Sequence, residues 1–423
     1  MRITTHLARR SAYAAAMALL VTGVASVPAL AAGTTPTTLA PNDGVGGDLF
    51  GQSTATSTNG AVTVVGSPEH NSSGAVYVFT GTGTTFSQTA ELAPGNPQAD
   101  EQFGQTVAIS GDGRTLVAAA PGAAGAGASD QGAAYVFTDQ NGTWTQTAEL
   151  AVPGTAELGT SLAISTDAST IVLGAPTSNN DNGEAFVFTK SGSTYTQTQE
   201  LTEPAPAVPA AAKKKKPTPP PAAVPAFLGD NTAISSNGST IAFGEPNVGV
   251  TDVFTKPTGA TTWTQTAQLH GGGDSVAVSG TGTVIAAGQA GINNLNGAVF
   301  VFTESGGTFT QASEVLPPAN TTRAAFAAGT NVGMSADGTV IAFGAPTATA
   351  GTAFESGEVF VATKTTTGTW ALTGTDTEPS PASDDDFGGG DQSVSVAGNG
   401  SAIVAGARAA NGETGLAVVF PMS

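Results

Sequence analysis

The feature that most constrains this chain is a column that recurs seven times, Gly-x-x-x-[Val/Phe]-Phe. It reads Gly74…Phe79, Gly132…Phe137, Gly183…Phe188, Gly249…Phe254, Gly297…Phe302, Gly357…Ala362 and Gly415…Phe420, and the glycine leads the last residue by five places in every copy. Successive copies stand 48 to 66 residues apart. A period of that size marks an array of small units that bury their apolar faces only against one another. The second copy shows the content of a unit. Thr106 to Ser110 and Thr115 to Ala119 read as strands around Gly111-Asp112-Gly113, and Pro121 stops the second. After a Gly/Ala/Ser loop, Ala133 to Phe137 and Trp144 to Leu150 read as two more, joined at Gln140-Asn141-Gly142. Asp-Gly and Asn-Gly supply the positive φ of tight hairpins, and they recur at Asn59-Gly60, Asn237-Gly238, Asp337-Gly338 and Asn399-Gly400.

Seven units of four antiparallel strands, here called A to D, predict an all-β seven-bladed β-propeller. Composition agrees, since 56 glycines, 25 prolines and only 11% charged residues do not suit a helical bundle. The ends support a closed ring. The last unit stops after its third strand at Phe420. Thr38-Leu39-Ala40-Pro41-Asn42 aligns with Glu91-Leu92-Ala93-Pro94-Gly95, a fourth strand. The N-terminal strand is therefore expected to complete the last blade and leave no open sheet edge.

Arg2, Arg9 and Arg10 precede an apolar run from Ala14 to Val27, and Pro28-Ala29-Leu30-Ala31 offers a small-x-small site. Residues 1–31 thus read as a secretory signal peptide cleaved after about Ala31. Residues 32–423 read as a single propeller, interrupted by a Pro/Lys-rich insert at 203–226 that carries Lys213 to Lys216. No later segment is apolar for long enough to span a membrane. The net charge is −19, a surface that repels nucleic acid and anionic membrane. There is no cysteine, so neither a disulfide framework nor a lipid-bearing cysteine is available.

Phe50-Gly51, Phe103-Gly104 and Phe387-Gly388 open units, as do Leu158-Gly159 and Leu228-Gly229. Gly174-Ala175-Pro176 and Gly344-Ala345-Pro346 close B strands, with Gly66-Ser67-Pro68 and Gly244-Glu245-Pro246 as variants. On these residues, over roughly 39 to 420, the chain resembles the FG-GAP repeat family, including the propeller head of integrin α subunits and bacterial secreted proteins. The resemblance implies a non-enzymatic extracellular adhesion or interaction propeller. It departs from the integrin type at the A–B turns. Ser110-Gly111-Asp112-Gly113-Arg114 offers one carboxylate, where calcium takes six to eight oxygens. No metal site is carried over, and no metal or cofactor is expected.

Catalytic raw material is sparse. The mature chain holds two histidines, His70 and His270, with His70 expected in an exposed loop. The aromatic column Phe86, Trp144, Tyr195, Trp263, Phe309 and Trp370 reads as packing on the outer strands rather than as carbohydrate platforms. Asp384-Asp385-Asp386 and Asn179 to Asn182 are oxygen-rich but lack calcium-ligand spacing. Strand alternation puts the short A–B and C–D turns on one face and the long B–C and D–A loops on the other. Long loops on a rigid scaffold are where binding concentrates. Glu69, His70, Asp130, Asn179, Asp181, Glu245, Arg323, Glu355, Asp384, Asp385, Asp386 and Arg408 are the candidate binding residues of that long-loop face. The expected activity is non-enzymatic binding of an extracellular protein or polysaccharide by a monomer. The alternative is a secreted glycan-active hydrolase or lyase with acids near the propeller axis. Three or more acids and an arginine converging on one channel mouth would favour the alternative.

Overall fold

The computed structural model describes residues 35–124, 130–203, 227–293, 296–318, 331–350 and 352–422. The leader, the insert at 204–226 and Arg323 lie outside these residues. The fold is a seven-bladed β-propeller, seven four-stranded antiparallel sheets in a ring. Blade 2 is typical, with Thr106–Ile109, Thr115–Ala120, Ala133–Gln140 and Thr143–Leu150 from axis to rim. Blade 7 holds Val394–Val396, Ala402–Ala407 and Leu416–Pro421, and its fourth strand is Thr37–Leu39. Thr37 pairs with Val419, Thr38 with Val418 and Leu39 with Ala417, the closure that the missing strand predicts.

Local chemistry sets the hairpins. Asn141 and Gly142 take φ of 58° and 87°, the double positive φ of a two-residue turn. Every C–D pair in blades 1 to 6 then slips register by one residue, between Val136 and Phe137 in blade 2. The extra residue is usually threonine, whose hydroxyl donates across the bulge, as from Thr147 to the Val136 carbonyl at 3.3 Å and from Thr89 to Val78 at 3.3 Å. Such bulges sharpen strand twist, which a blade running from axis to rim requires.

The repeated glycines mark where neighbouring blades touch. Phe50, Phe103, Leu158, Leu228 and Phe387 are wholly buried. Phe103 meets the Tyr135 and Phe137 rings edge-on at 5.7 and 5.8 Å. Burying each such side chain stabilises by about 1.5–3 kcal/mol. The backbone of Phe103 bridges to Gly74 of the preceding blade, as Leu158 does to Gly132, Leu228 to Gly183 and Phe50 to Gly415. A Cβ on Gly74 would lie 2.1 Å from the Phe103 carbonyl oxygen. The glycine near the end of the B strand, present in every blade but the second, is pressed in the same way. A Cβ on Gly66 would lie 1.9 Å from the Gly104 oxygen, and one on Gly406 2.0 Å from that of Gly51. Hydroxyls complete the seam, with Ser53 donating to the Gly104 carbonyl at 3.0 Å, Thr106 to Gly159 at 2.9 Å and Ser161 to Gly229 at 2.7 Å.

On the short-turn face, each A–B turn is closed by its own side chains. The Ser335 hydroxyl donates to Asp337 Oδ1 at 2.6 Å, and the same oxygen accepts the Thr339 amide at 3.0 Å. One carboxylate is therefore occupied by the turn, as the sequence suggested. Backbone bonds then join the turns into a hoop around the axis. Thr58 N donates to Gly111 O, Gly111 N to Thr166 O, Thr166 N to Ser236 O, Asn237 N to Gly280 O, Gly280 N to Ala336 O, Ala336 N to Gly398 O, and Asn399 N back to Thr58 O, at 2.7 to 3.3 Å.

The aromatic column is packing. Tyr195, Trp263 and Trp370 are buried. Trp263 and Trp370 donate through Nε1 to the carbonyls of Gly238 and Gly338, each at 3.2 Å. Gln199 of blade 3 clasps the Trp263 backbone from both sides, at 2.7 and 2.8 Å. Lys256 lies 3.9 Å over the Trp263 ring, covering its remaining face.

Candidate functional site: the long-loop face

The A strands of all seven blades enclose an axial channel of about 240 Å³, and none of the described residues lining it is charged. On the long-loop face, blade 7 reaches over its mouth. Blade 1 has only Gln52 between Gly51 and Ser53, and blade 2 only Gln105 between Gly104 and Thr106. Blade 7 has Gly389, Gly390, Asp391 and Gln392 between Gly388 and Ser393. Asp391 Oδ2 accepts from Gln52 Nε2 at 3.0 Å and from Gln105 Nε2 at 2.5 Å. Gln392 Nε2 reaches the Leu162 carbonyl of blade 3 at 3.1 Å, across the channel. Arg408 Nε donates to Asp386 Oδ2 at 2.6 Å, and its NH1 donates to Gln52 Oε1 at 2.9 Å. The charged groups of this cluster are therefore bonded to one another or to glutamines.

Other candidate residues divide by burial. Glu69, Asp130, Asn179, Asp181 and Asp384 are exposed, and Glu355 and Asp386 are half-buried. Asn179 and Asp181 sit in a short helical turn, Ser178–Asp181, with positive φ at Asn179, Asn180 and Asp181. Three candidates are not free loop residues. His70 is only 4% exposed, because the loop folds its ring edge-on against Tyr77 at 5.8 Å. Glu245 is fully buried as the last residue of the strand Thr240–Glu245. Asp385 is 4% exposed, accepts the Ala382 amide and lies against buried Glu378, which burial and then the hydrogen bond to Asp385 push up to about 8.

Around His70 the structure gathers acids that the sequence did not single out. Nδ1 lies 3.0 Å from Asp48 Oδ2, and Nε2 lies 2.7 Å from Asn71 Nδ2, 3.6 Å from Asp43 Oδ2 and 3.7 Å from Glu91 Oε1. The Tyr77 hydroxyl donates to Asp43 Oδ1 at 3.1 Å. Burial, followed by the Asp43 and Glu91 charges, raises the Tyr77 pKa, and burial and then Asp43 raise that of Glu91. The arrangement fastens the segment after the closing strand to blade 1, and its three ligand-type groups, Asp43, His70 and Glu91, converge as a cation site would require. The second convergence is Glu203, Glu245 and Asp252. Neither set was legible, because each joins segments that only the folded ring brings together.

The sequence of residues 34–79 and 86–137 matches the FG-GAP repeat family model, and the other blades repeat the same geometry. The chain carries FG-GAP repeats on a seven-bladed propeller. The residues that define the repeat are the ones at the blade seams, the Phe-Gly pair of one blade against the terminal glycine of the previous B strand. Among solved structures, a chain of the mitotic checkpoint complex is similar over 96% of this propeller and all of its own length, at 12% identity and a TM-score of 0.56. A proposed 6-phosphogluconolactonase from Bacteroides uniformis is similar over 85% of this chain and 89% of its own, at 17% identity and a TM-score of 0.52. Another from Bacteroides fragilis covers 78% and 85%, at 12% and 0.50. Such identities show the shared fold. No curated protein matches the sequence. Among the described residues, no helix is long and apolar enough to cross a membrane.

Proposed function

We propose that this FG-GAP propeller is a secreted, non-catalytic interaction protein that binds an extracellular protein or polysaccharide through its long-loop face. The observation that carries the reading is the bonding of the charged groups at the mouth. A catalytic site on the axis needs acids and a cation free to meet a substrate, whereas Asp386, Asp391 and Arg408 are bonded to one another or to glutamines over a channel whose described lining residues carry no charge. Glu69, Asp130, Asp181 and Asp384 face solvent on four separate loops of that face. Spread-out acids on a rigid disk suit a broad basic or cation-bridged surface better than a small substrate. The family resemblance and the leader expected at the N-terminus support an extracellular setting.

The test compares two grouped variants on a glycan array and against immobilised extracellular proteins. Glu69→Gln, Asp130→Asn, Asp181→Asn and Asp384→Asn together should weaken binding at least about tenfold, the scale of 1.4 kcal/mol. Asp139→Asn with Glu304→Gln, on the short-turn face, should not. Loss from the second variant alone would place the interface on the other face. Cleavage of an arrayed glycan by the parent protein would replace this reading with the enzymatic one.

A further inference from the structure

Seven internal copies show what each position of a blade needs structurally, and blade 4 departs from them at three places that meet in space. The third residue after the column glycine is Tyr77, Tyr135, Phe186, Phe300 or Phe360 in blades 1, 2, 3, 5 and 6, but Asp252 in blade 4. The last residue of the B strand is Ser67, Ala120, Ala175, Ala345 or Ala407 in five blades, but Glu245 in blade 4. Opposite Asp252 stands Gln268, where blades 1, 2, 3 and 5 have Glu91, Glu149, Glu200 and Glu314. An aromatic and a small residue have been exchanged for two carboxylates, both fully buried.

Burying two acids together is costly unless something neutralises them. Among the described residues no lysine or arginine pairs with either. Gln265 and Gln268 donate to Asp252 Oδ2 and Oδ1 at 2.7 and 3.1 Å, which fixes that carboxylate. Neither oxygen of Glu245 meets a hydrogen-bond donor. Half-buried Glu203, just past the strand Thr194–Leu201 of blade 3, brings a third carboxylate from the solvent side. One oxygen from each lies within 4.8 Å of the others. Three points so spaced share a centre at most about 2.8 Å from each, which accommodates calcium–oxygen bonds of about 2.3–2.6 Å, and the flexible coordination of calcium suits an irregular carboxylate set better than the strict octahedron of magnesium does.

We propose that Glu203, Glu245 and Asp252 bind one calcium-sized divalent cation at the boundary of blades 3 and 4. The donor set is all oxygen, which selects a hard ion over zinc or copper. Asp252 is held in place by the two glutamines, Glu245 supplies the unpartnered buried oxygens, and Glu203 closes the site from outside. Without the ion, burial and then the Asp252 charge raise Glu245, and burial raises Asp252 against the hydrogen bond from Gln268. The ion would fasten two blades at the root of the Pro/Lys insert. This is separate from the A–B turns, whose carboxylates are occupied by the turn itself.

The test strips the full mature protein with EDTA, then titrates CaCl2 by calorimetry and thermal melting, with MgCl2 at matched ionic strength alongside. The expected result is binding at this site with a Tm rise of several degrees, and a weaker response to magnesium. Glu245→Gln should abolish the response. The double variant Glu245→Ala with Asp252→Phe, which restores the residues of the other blades, should melt at or above the stripped parent and ignore calcium. Asp384→Asn should respond as the parent does. A parent whose Tm is indifferent to calcium, or a calcium response that survives in both blade 4 variants, would overturn the proposal.

Discussion

At the scale of single residues, the seams between blades leave no space for a methyl group. Gly66 shows this cleanly, because the obstacle is the Gly104 carbonyl of the next blade, a backbone atom that cannot swing aside. Gly66→Ala is expected to destabilise by roughly 3 kcal/mol or more, as overpacking against backbone does. Urea unfolding would measure it, and an unchanged midpoint would refute the contact. The sequence made these glycines visible as landmarks of the repeat but could not say why they are glycine. That reason lies in a neighbouring blade some 40 residues away. Burial of acids was hidden for the same cause. Glu245, Asp385 and His70 stand beside Pro246, Asp384 and Asn71 in stretches that read locally as loops, yet tertiary packing encloses all three.

At the scale of elements, the strand Thr37–Leu39 carries the ring closure with only three paired residues. A chain beginning at Asp43 should leave Leu416–Pro421 as an open edge. It should melt at least several degrees lower and self-associate, which calorimetry and light scattering would report. A truncated chain that stays monomeric at the parental Tm would contradict the pairing. This closure was legible because the repeat counts strands, and a missing fourth strand at one end matched a spare one at the other. The hairpin turns were legible too, since Asn141-Gly142 and its equivalents need positive φ. The bulge in the C–D pairs of blades 1 to 6 was not, although Thr89, Thr147 and Thr198 recur in step. A threonine in a strand looks ordinary until its partner strand is known. The bonding at the mouth also escaped notice. Nothing in the local sequence singles out Asp391, and only the ring places it against Gln52 and Gln105.

At the scale of the whole molecule, buried acids make stability depend on pH in an unusual direction. Burial pushes Glu378 up to about 8, with Asp385 adding to it, and burial alone pushes Glu358 to about 7 and Asp376 to about 6. These folded pKa values exceed the unfolded ones, so the folded state holds protons that the unfolded chain has released. Stability is therefore lost as pH rises from about 5 to 8. Asp167 and Asp337 act oppositely. Burial raises them, but hydrogen bonds from Ser165 and Ser169, and from Ser335 and Thr339, outweigh it and hold them low, so their contribution is lost only in stronger acid. In EDTA, Tm should be several degrees higher at pH 5 than at pH 8, and Glu378→Gln should flatten part of that slope. A Tm that rises steadily toward pH 8 would contradict the assignment. The closing strand has a mechanical meaning as well. Thr37 and Val419 lie side by side, so tension applied between the chain's two ends would enter and leave through blade 7 alone. The pull would part the pair one rung at a time, like a zip, while the other six blades carried no load. A molecule tethered at both ends would yield at its seam first, and the hoop of turns would hold the remaining disk together.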